Sequence, residues 1–418
     1  MPEVETPPPA TRPASPRLRG DLVAVGLALV LVVAAIIVGV WFADNGMQEK
    51  LWTAAPPLFG RWGAHIGPGS IAAVLLAVAV VAWGPGLAAR MTWRAALVAS
   101  YAAAVGWTFS LAMIDGFERG FAGRLTGWSE YLSEVPGITD TGLMLREFAD
   151  RILAGTPDNW TVHVSGHPPG ATLVFVWLDR IGLSGGPAAS ALCVLAGGLV
   201  AVAVPVAVRA LAGKDVARRV LPFAVLFPGA VWLGVSADGL FAGVAATGVA
   251  LLALACEASR GRRLVLAAGS GLVLGFAVFL SYGLVLLGML ALAVVVYRRA
   301  WDVLAAAVAA ALAVVGVYAL AGFWWFEGYQ LVVQRYYQGL GTTREYGYWV
   351  WANLAAQVLV VGPAVIVGLR RCWPLPPWRQ GDVAAVPWRQ GDVAAVPWPQ
   401  GDVAAVPWPQ GDVAAVPW

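Results

Sequence analysis

Charge is the scarcest property of this sequence. Asp, Glu, Lys and Arg supply 12% of its 418 residues, while 59% are hydrophobic. Soluble domains carry about 25% charged residues, so an ordinary soluble fold is excluded and a polytopic membrane protein is indicated. Cysteine is nearly absent as well. Cys193, Cys256 and Cys372 lie within or beside apolar runs without short paired spacing, which argues against a disulfide framework and a thiolate metal site. Lysine is rarer still: of 27 basic residues, only Lys50 and Lys214 are lysine, a bias of GC-rich genomes such as those of actinobacteria. The net charge of +3 says little by itself and indicates no nucleic-acid partner. In a membrane protein, the placement of the charges carries the information.

Uninterrupted apolar sequence is what the chain has in abundance. Residues 1–21 are Pro-rich with Arg12, Arg17 and Arg19 and read as a disordered, basic, cytoplasmic tail. Run 22–42 is uncharged. At about 1.5 Å per residue it is long enough for a hydrocarbon core of about 30 Å, and it exceeds the h-region of a signal peptide. Run 69–89 completes an N-terminal pair of spans within 22–94. A module over 95–371 follows, with runs 95–114, 187–208, 220–235, 239–255, 264–280, 283–297, 303–321 and 350–369. Between the first two of these lies a long external segment, 115–186. From Trp378 a ten-residue unit, Trp-Arg-Gln-Gly-Asp-Val-Ala-Ala-Val-Pro, recurs to Trp418. Its apolar core is too short to span and its period fits no common repeat architecture, so 372–418 reads as a low-complexity tail.

The apolar stretch 171–183, just after His167-Pro168-Pro169, decides the topology. Basic clusters recur between alternate runs: Arg209, Lys214, Arg218 and Arg219; Arg260, Arg262 and Arg263; Arg298 and Arg299; Arg370 and Arg371. If 171–183 crossed, parity would place all four outside, against the positive-inside rule. If it stays at the outer surface, 18 of the 27 basic residues fall on the cytoplasmic side. Asp179 and Arg180 favour that arrangement, since a mid-bilayer charge costs about 2.5–3.5 kcal/mol on insertion scales. The expectation is an all-α bundle of about ten crossing helices in the cell membrane. Both termini are cytoplasmic, and an external interfacial helix starts at Pro168. A second surface helix is expected where Asp140 can N-cap a run in which Met144, Phe148 and Ile152 share one face.

Candidate chemistry gathers on the outer side. Asp115 follows a span and so sits at headgroup depth, with Glu118 about one turn later. A carboxylate there can take the proton of an acceptor hydroxyl, or simply end a helix at the interface. Asp238 fits either a site or the N-cap of a helix from Gly239. His163 and His167 have the helical zinc spacing, but Ser-Gly before His-Pro-Pro argues against a helix there. A positioning or phosphate-contacting role suits His167 better, beside a structural one at the start of a helix whose first turn accepts Pro168 and Pro169. The last outer loop, 322–349, is crowded with aromatics around Arg335 and Arg344. Aromatic rings at this depth usually form a membrane belt. The functional alternative has an arginine holding phosphate while rings such as Tyr346 stack on sugar.

Taken in order, Asp115, His167-Pro168-Pro169, Phe227-Pro228 and Ser236-Ala237-Asp238 resemble the GT-C membrane glycosyltransferases, such as the protein O-mannosyltransferase and aminoarabinose transferase families. The resemblance covers roughly 95–263 and extends more weakly to 371. It implies a GT-C-like bundle and a hexosyl- or pentosyltransferase of the cell envelope. Such an enzyme takes its sugar from a polyprenyl-phosphate donor in the membrane lipid and delivers it to an extracytoplasmic glycan or protein acceptor. It also implies Asp115 as general base with Glu118 as substitute, although the family often has two adjacent acidic residues where this chain reads Asp-Gly-Phe-Glu. His163, His167, Asp238, Arg335, Arg344 and Tyr346 would line the substrate site. No cofactor is certain and no protein metal site is indicated, while a divalent cation is compatible with the leaving phosphate. The alternative class is a transporter or flippase of envelope glycolipids, or a non-catalytic membrane protein. It predicts ionisable groups at mid-bilayer, or broken helices with inverted repeats. The apolar runs hold nearly no ionisable groups.

Overall fold

The computed structural model describes residues 16–372. The readings made for residues 1–15 and for the repeats from 373 onward lie outside the described residues. Within them the chain is helical, with no strand and a lone bridge between Ala55 and Leu58. Runs of Ala, Leu and Val become helices because a bilayer offers backbone groups no other partner, and a helix satisfies its own. The order is α1 (Pro16–Asp44), α2 (Ser70–Arg90), α3 (Trp93–Ala112), α4 (Thr141–Glu147), α5 (Val162–Ser165), α6 (Pro169–Arg180), α7 (Gly186–Gly198) and α8 (Val200–Ala212). It continues with α9 (Lys214–Val225), α10 (Ala230–Leu233), α11 (Ala237–Glu257), α12 (Arg260–Leu280), α13 (Leu287–Arg298), α14 (Trp301–Leu320), α15 (Trp325–Tyr337) and α16 (Tyr346–Arg371). Helix α1 begins at Pro16, so 16–21 belong to the first helix rather than to a tail.

Eight helical stretches, with α7 and α8 counted as one, are long and apolar enough to cross a membrane. The ten expected runs are all present, but two depart from simple spans. Run 283–297 lies in a shorter apolar helix, Tyr282–Arg298. Run 220–235 is interrupted: α9 ends at Val225, and Pro228-Gly229 separates it from the single turn of α10, because proline cannot continue the ladder behind it. The interrupted segment still passes from one end of the bundle to the other. Arg218 on α9 donates to the Ala88 and Met91 carbonyls at the C-terminus of α2, while Gly234 packs against Thr108 near the opposite end of α3. A second break lies in α16, where Gly362 has φ 76° and ψ 170° ahead of Pro363 and packs against Pro228.

One end of the bundle, here the basic end, collects the short Arg-rich turns. Asp21 on α1 pairs with Arg370 (2.6 Å) and Arg371 (2.5 Å) on α16. Arg263 makes a bidentate pair with Asp302, and Arg298 pairs with Glu257. The helices meet here mostly through alanine, including Ala203, Ala253, Ala255 and Ala267, the small-residue packing that lets helix backbones approach in a membrane.

The other end carries a built layer, the cap, formed by residues 117–185. Its core is aromatic: Tyr131, Phe148, Trp160 and Phe175 are buried together with Phe241 and Phe279 from the helical bundle and Phe323 from the connection between α14 and α15. Asp140 N-caps α4, accepting from Gly142 N–H (2.7 Å) and Leu143 N–H (3.0 Å), and Met144, Phe148 and Ile152 all point inward as their spacing requires. Helix α6 begins and ends in this layer. Gly170 at its start lies against Phe279 at the end of α12, and Arg180 at its finish donates to the Thr139 carbonyl. Twelve residues reach only about 18 Å, so α6 does not cross. It is not a surface helix either, because seven of its residues are buried in the cap core. Apolar side chains on several faces of α6, rather than on one stripe, explain why it is enclosed.

Candidate functional site

Asp115 stands where α3 gives way to the cap. A short 3-10 turn (Met113–Asp115) closes α3, Gly116 turns the chain at φ 81°, and a π-helical turn follows over Phe117–Ala122. Gly120 lets this turn close on α3, since a Cβ there would collide with the Ala112 carbonyl oxygen. The result is an open cleft of about 360 Å³ lined by Ile114, Asp115, Arg119, Gly120, Arg124 and, from α10 and the residues after it, Ala230, Val231 and Gly234. Arg119 Nε lies 3.8 Å from Asp115 Oδ1. His65, from the loop between α1 and α2, places Nε2 3.0 Å from the same oxygen. Among the described residues Arg124 has no acidic partner within ion-pair distance.

A second polar cluster lies at the base of the cap. Glu134 accepts from Thr161 N–H at 2.8 Å, and Trp160 is clamped by the Arg151 guanidinium 3.4 Å over its ring and by its own N–H bond to the Phe148 carbonyl. These contacts hold the segment that carries both later histidines. His163 Nε2 is 3.6 Å from Glu130. His167 Nδ1 donates to the His163 carbonyl at 2.9 Å, which leaves Nε2 as the acceptor nitrogen. Burial lowers the pKa of His167, so the neutral ring is favoured. Its ring packs against Tyr131 and Phe241. The Tyr131 hydroxyl is buried with no hydrogen-bond partner; burial raises its pKa well above the ordinary value, and the charges of Asp238 and Glu130 add to that. Asp238 is not the cap of α11. Ser236 is, its hydroxyl accepting from Asp238 N–H (3.0 Å) and bonding to the Asp238 carboxylate (2.8 Å). Val235 just before it has φ 60°, an uncommon conformation for a β-branched residue.

The expected residues thus separate into three groups. Asp115 is in the cleft, while Glu118 lies on the exposed face of the π-turn, outside the cleft lining. His163, His167 and Asp238 come together with Glu130 and Tyr131. Arg335 and Arg344 lie in α15 and the turn before α16, and Tyr346 is exposed at the start of α16. None of these three lines the cleft. Arg344 stacks over Trp349 at 4.2 Å, and each arginine keeps one buried nitrogen without a hydrogen bond. Burial lowers the pKa of Arg335. Sequence reasoning passed over His65, Arg119, Arg124, Glu130 and Tyr131. Histidine scarcity was the usable signal: the chain has three, and all three belong to these two clusters. Among the described residues no group of three or more His, Cys, Asp or Glu side chains is placed to hold a metal ion.

Comparison of the chain with protein-family models, with curated proteins and with solved structures found no match.

Proposed function

We propose that this protein is a membrane glycosyltransferase that moves a sugar from a polyprenyl-phosphate donor to a hydroxyl of a glycan or protein acceptor on the extracytoplasmic side. The observation that carries this reading is a carboxylate, Asp115, in an open cleft at the end of the spans that two arginines, Arg119 and Arg124, also line. A lipid phosphate sits at that depth, and two guanidinium groups answer its charge. In the transfer, the acceptor O–H gives its proton to Asp115 as the acceptor oxygen bonds to the sugar C1. The C1–O bond to phosphate breaks, and its electron pair leaves on the lipid phosphate, where Arg119 and Arg124 stabilise it. The segregation of basic turns to the opposite end supports an outward-facing cleft under the positive-inside rule.

A transporter or flippase reading draws on the breaks at Pro228-Gly229 and at Gly362. The Asp, Glu, Lys and Arg residues of the long helices nevertheless stand near their ends, and the polar clusters gather outside the spans, which favours surface chemistry. The test is transfer from radiolabelled polyprenyl-phosphate sugars by the purified protein. Asp115→Asn is expected to lower kcat by about 10²–10⁴-fold, the usual worth of a general base. Unchanged transfer in that variant removes Asp115 as base; no transfer from any donor by the wild type moves the weight to transport.

A further inference from the structure

His65 contacts two acceptors at once. Its Nδ1 lies 2.8 Å from the Gly63 carbonyl oxygen, and its Nε2 lies 3.0 Å from Asp115 Oδ1. A carbonyl only accepts, so Nδ1 carries hydrogen. A neutral ring with hydrogen on Nδ1 has a lone pair on Nε2, and that lone pair would face a carboxylate oxygen at hydrogen-bond distance. Both contacts are satisfied only when a proton lies between Nε2 and Oδ1.

The loop is built to bring the ring there. Gly69 N–H donates to the Met113 carbonyl at 3.0 Å, and Gly67 N–H donates to the Ser70 hydroxyl at 3.0 Å. A Cβ on Gly67 would fall on the Ile114 carbonyl oxygen, and one on Gly69 on the Ser110 carbonyl oxygen. Glycine alone allows 67–69 to lie against the end of α3, and His65 follows from that approach.

We infer that His65 is the proton-sharing partner of Asp115 and the positioning residue of the cleft. The shared proton fixes one carboxylate oxygen and leaves the other to take the acceptor hydroxyl proton. The catalytic consequence rests on the transferase reading; the shared proton rests on the ring geometry alone.

The experiment uses the full-length protein with ¹⁵N-labelled histidine in lipid nanodiscs, where three imidazoles give a readable spectrum and His65→Gln assigns one of them. In wild type the His65 ring is expected to carry hydrogen on both nitrogens, and in Asp115→Asn on Nδ1 only. Identical His65 signals in the two proteins overturn the shared proton. In the transfer assay His65→Gln, whose amide can donate from the position of Nε2, is expected to keep activity within a few-fold. His65→Ala is expected to lose about 100-fold in kcat, the cost of a ~1 Å misplacement, with KM for the donor unchanged. Wild-type activity in His65→Ala, or equal loss in both variants, overturns the positioning role. If wild type transfers from no donor, the transferase reading fails and the spectra alone decide the pair.

Discussion

At the basic end, brief turns join the helices, and acids set beside arginines tie neighbouring turns together: Asp21 with Arg370 and Arg371, Asp302 with Arg263, Glu257 with Arg298. At the other end, long connections fold into an aromatic cap and leave polar groups unanswered, among them the Tyr131 hydroxyl, Arg335 Nη1 and Arg344 Nε. The first arrangement fixes the register of the bundle. The second costs stability, since a buried polar atom without a partner is expensive, and such groups persist where a ligand answers them. The contrast therefore supports the proposal that function belongs to the end of the bundle that carries the cap.

The largest effect expected from this contrast is all-or-none. In a Cys372→Ser background, cysteine placed at Asp179 at the end of α6 and at Lys214 at the start of α9 should react with an impermeant thiol reagent from opposite sides of a sealed membrane. Labelling of both from one side would abolish the two-ended arrangement. Next come the cores, which should fail in opposite ways. Trp160→Ala, in the aromatic core, should cost about 3–5 kcal/mol and lower the melting temperature. At the basic end, where alanine leaves little to remove, enlargement should do the damage, with Ala253→Leu costing about 1–3 kcal/mol. Equal tolerance of Trp160→Ala and Ala253→Leu in thermal unfolding would erase the distinction.

The smallest effect concerns Asp140. The Leu143 and Gly142 amides hold its carboxyl below the usual carboxylate range. A depressed folded pKa stabilises α4 fully above the unfolded value, about 3.9, and that contribution is lost as pH falls through the folded value. The hydrogen-exchange protection factors of α4, referred to the intrinsic amide rate at each pH, should therefore fall at acid pH in wild type. In Asp140→Asn, which caps without titrating, they should stay flat. An acid dependence surviving in Asp140→Asn would assign it to another group.

Much of this architecture is legible in the sequence because hydropathy and the 3.6-residue period act locally. The apolar runs, the Asp140 cap, the inward face of Met144, Phe148 and Ile152, and the first-turn position of Pro169 all follow from neighbours within a few residues. The burial of α6 does not, since it depends on Phe241 and Phe279 arriving from distant helices. The break before α10 could be read from Pro228-Gly229, yet hydropathy alone makes 220–235 look continuous. His65 is the clearest failure: it lies 50 residues before Asp115 in sequence, and only the approach of Gly67 and Gly69 to α3 joins them. Arg119 and Arg124 escaped because a π-helical turn has no distinctive periodicity over so short a stretch.

The shared core of cap and bundle has a consequence for synthesis. Residues 117–185 leave the ribosome before α11, α12 and the segment bearing Phe323, whose Phe241, Phe279 and Phe323 side chains complete the packing around Tyr131, Phe148 and Trp160. Domains ordinarily fold from the N-terminus as the chain emerges, but this one cannot close on its own residues. The cap is threaded early and finished late, so a chain truncated after α10 should hold its histidines without the walls that fix them.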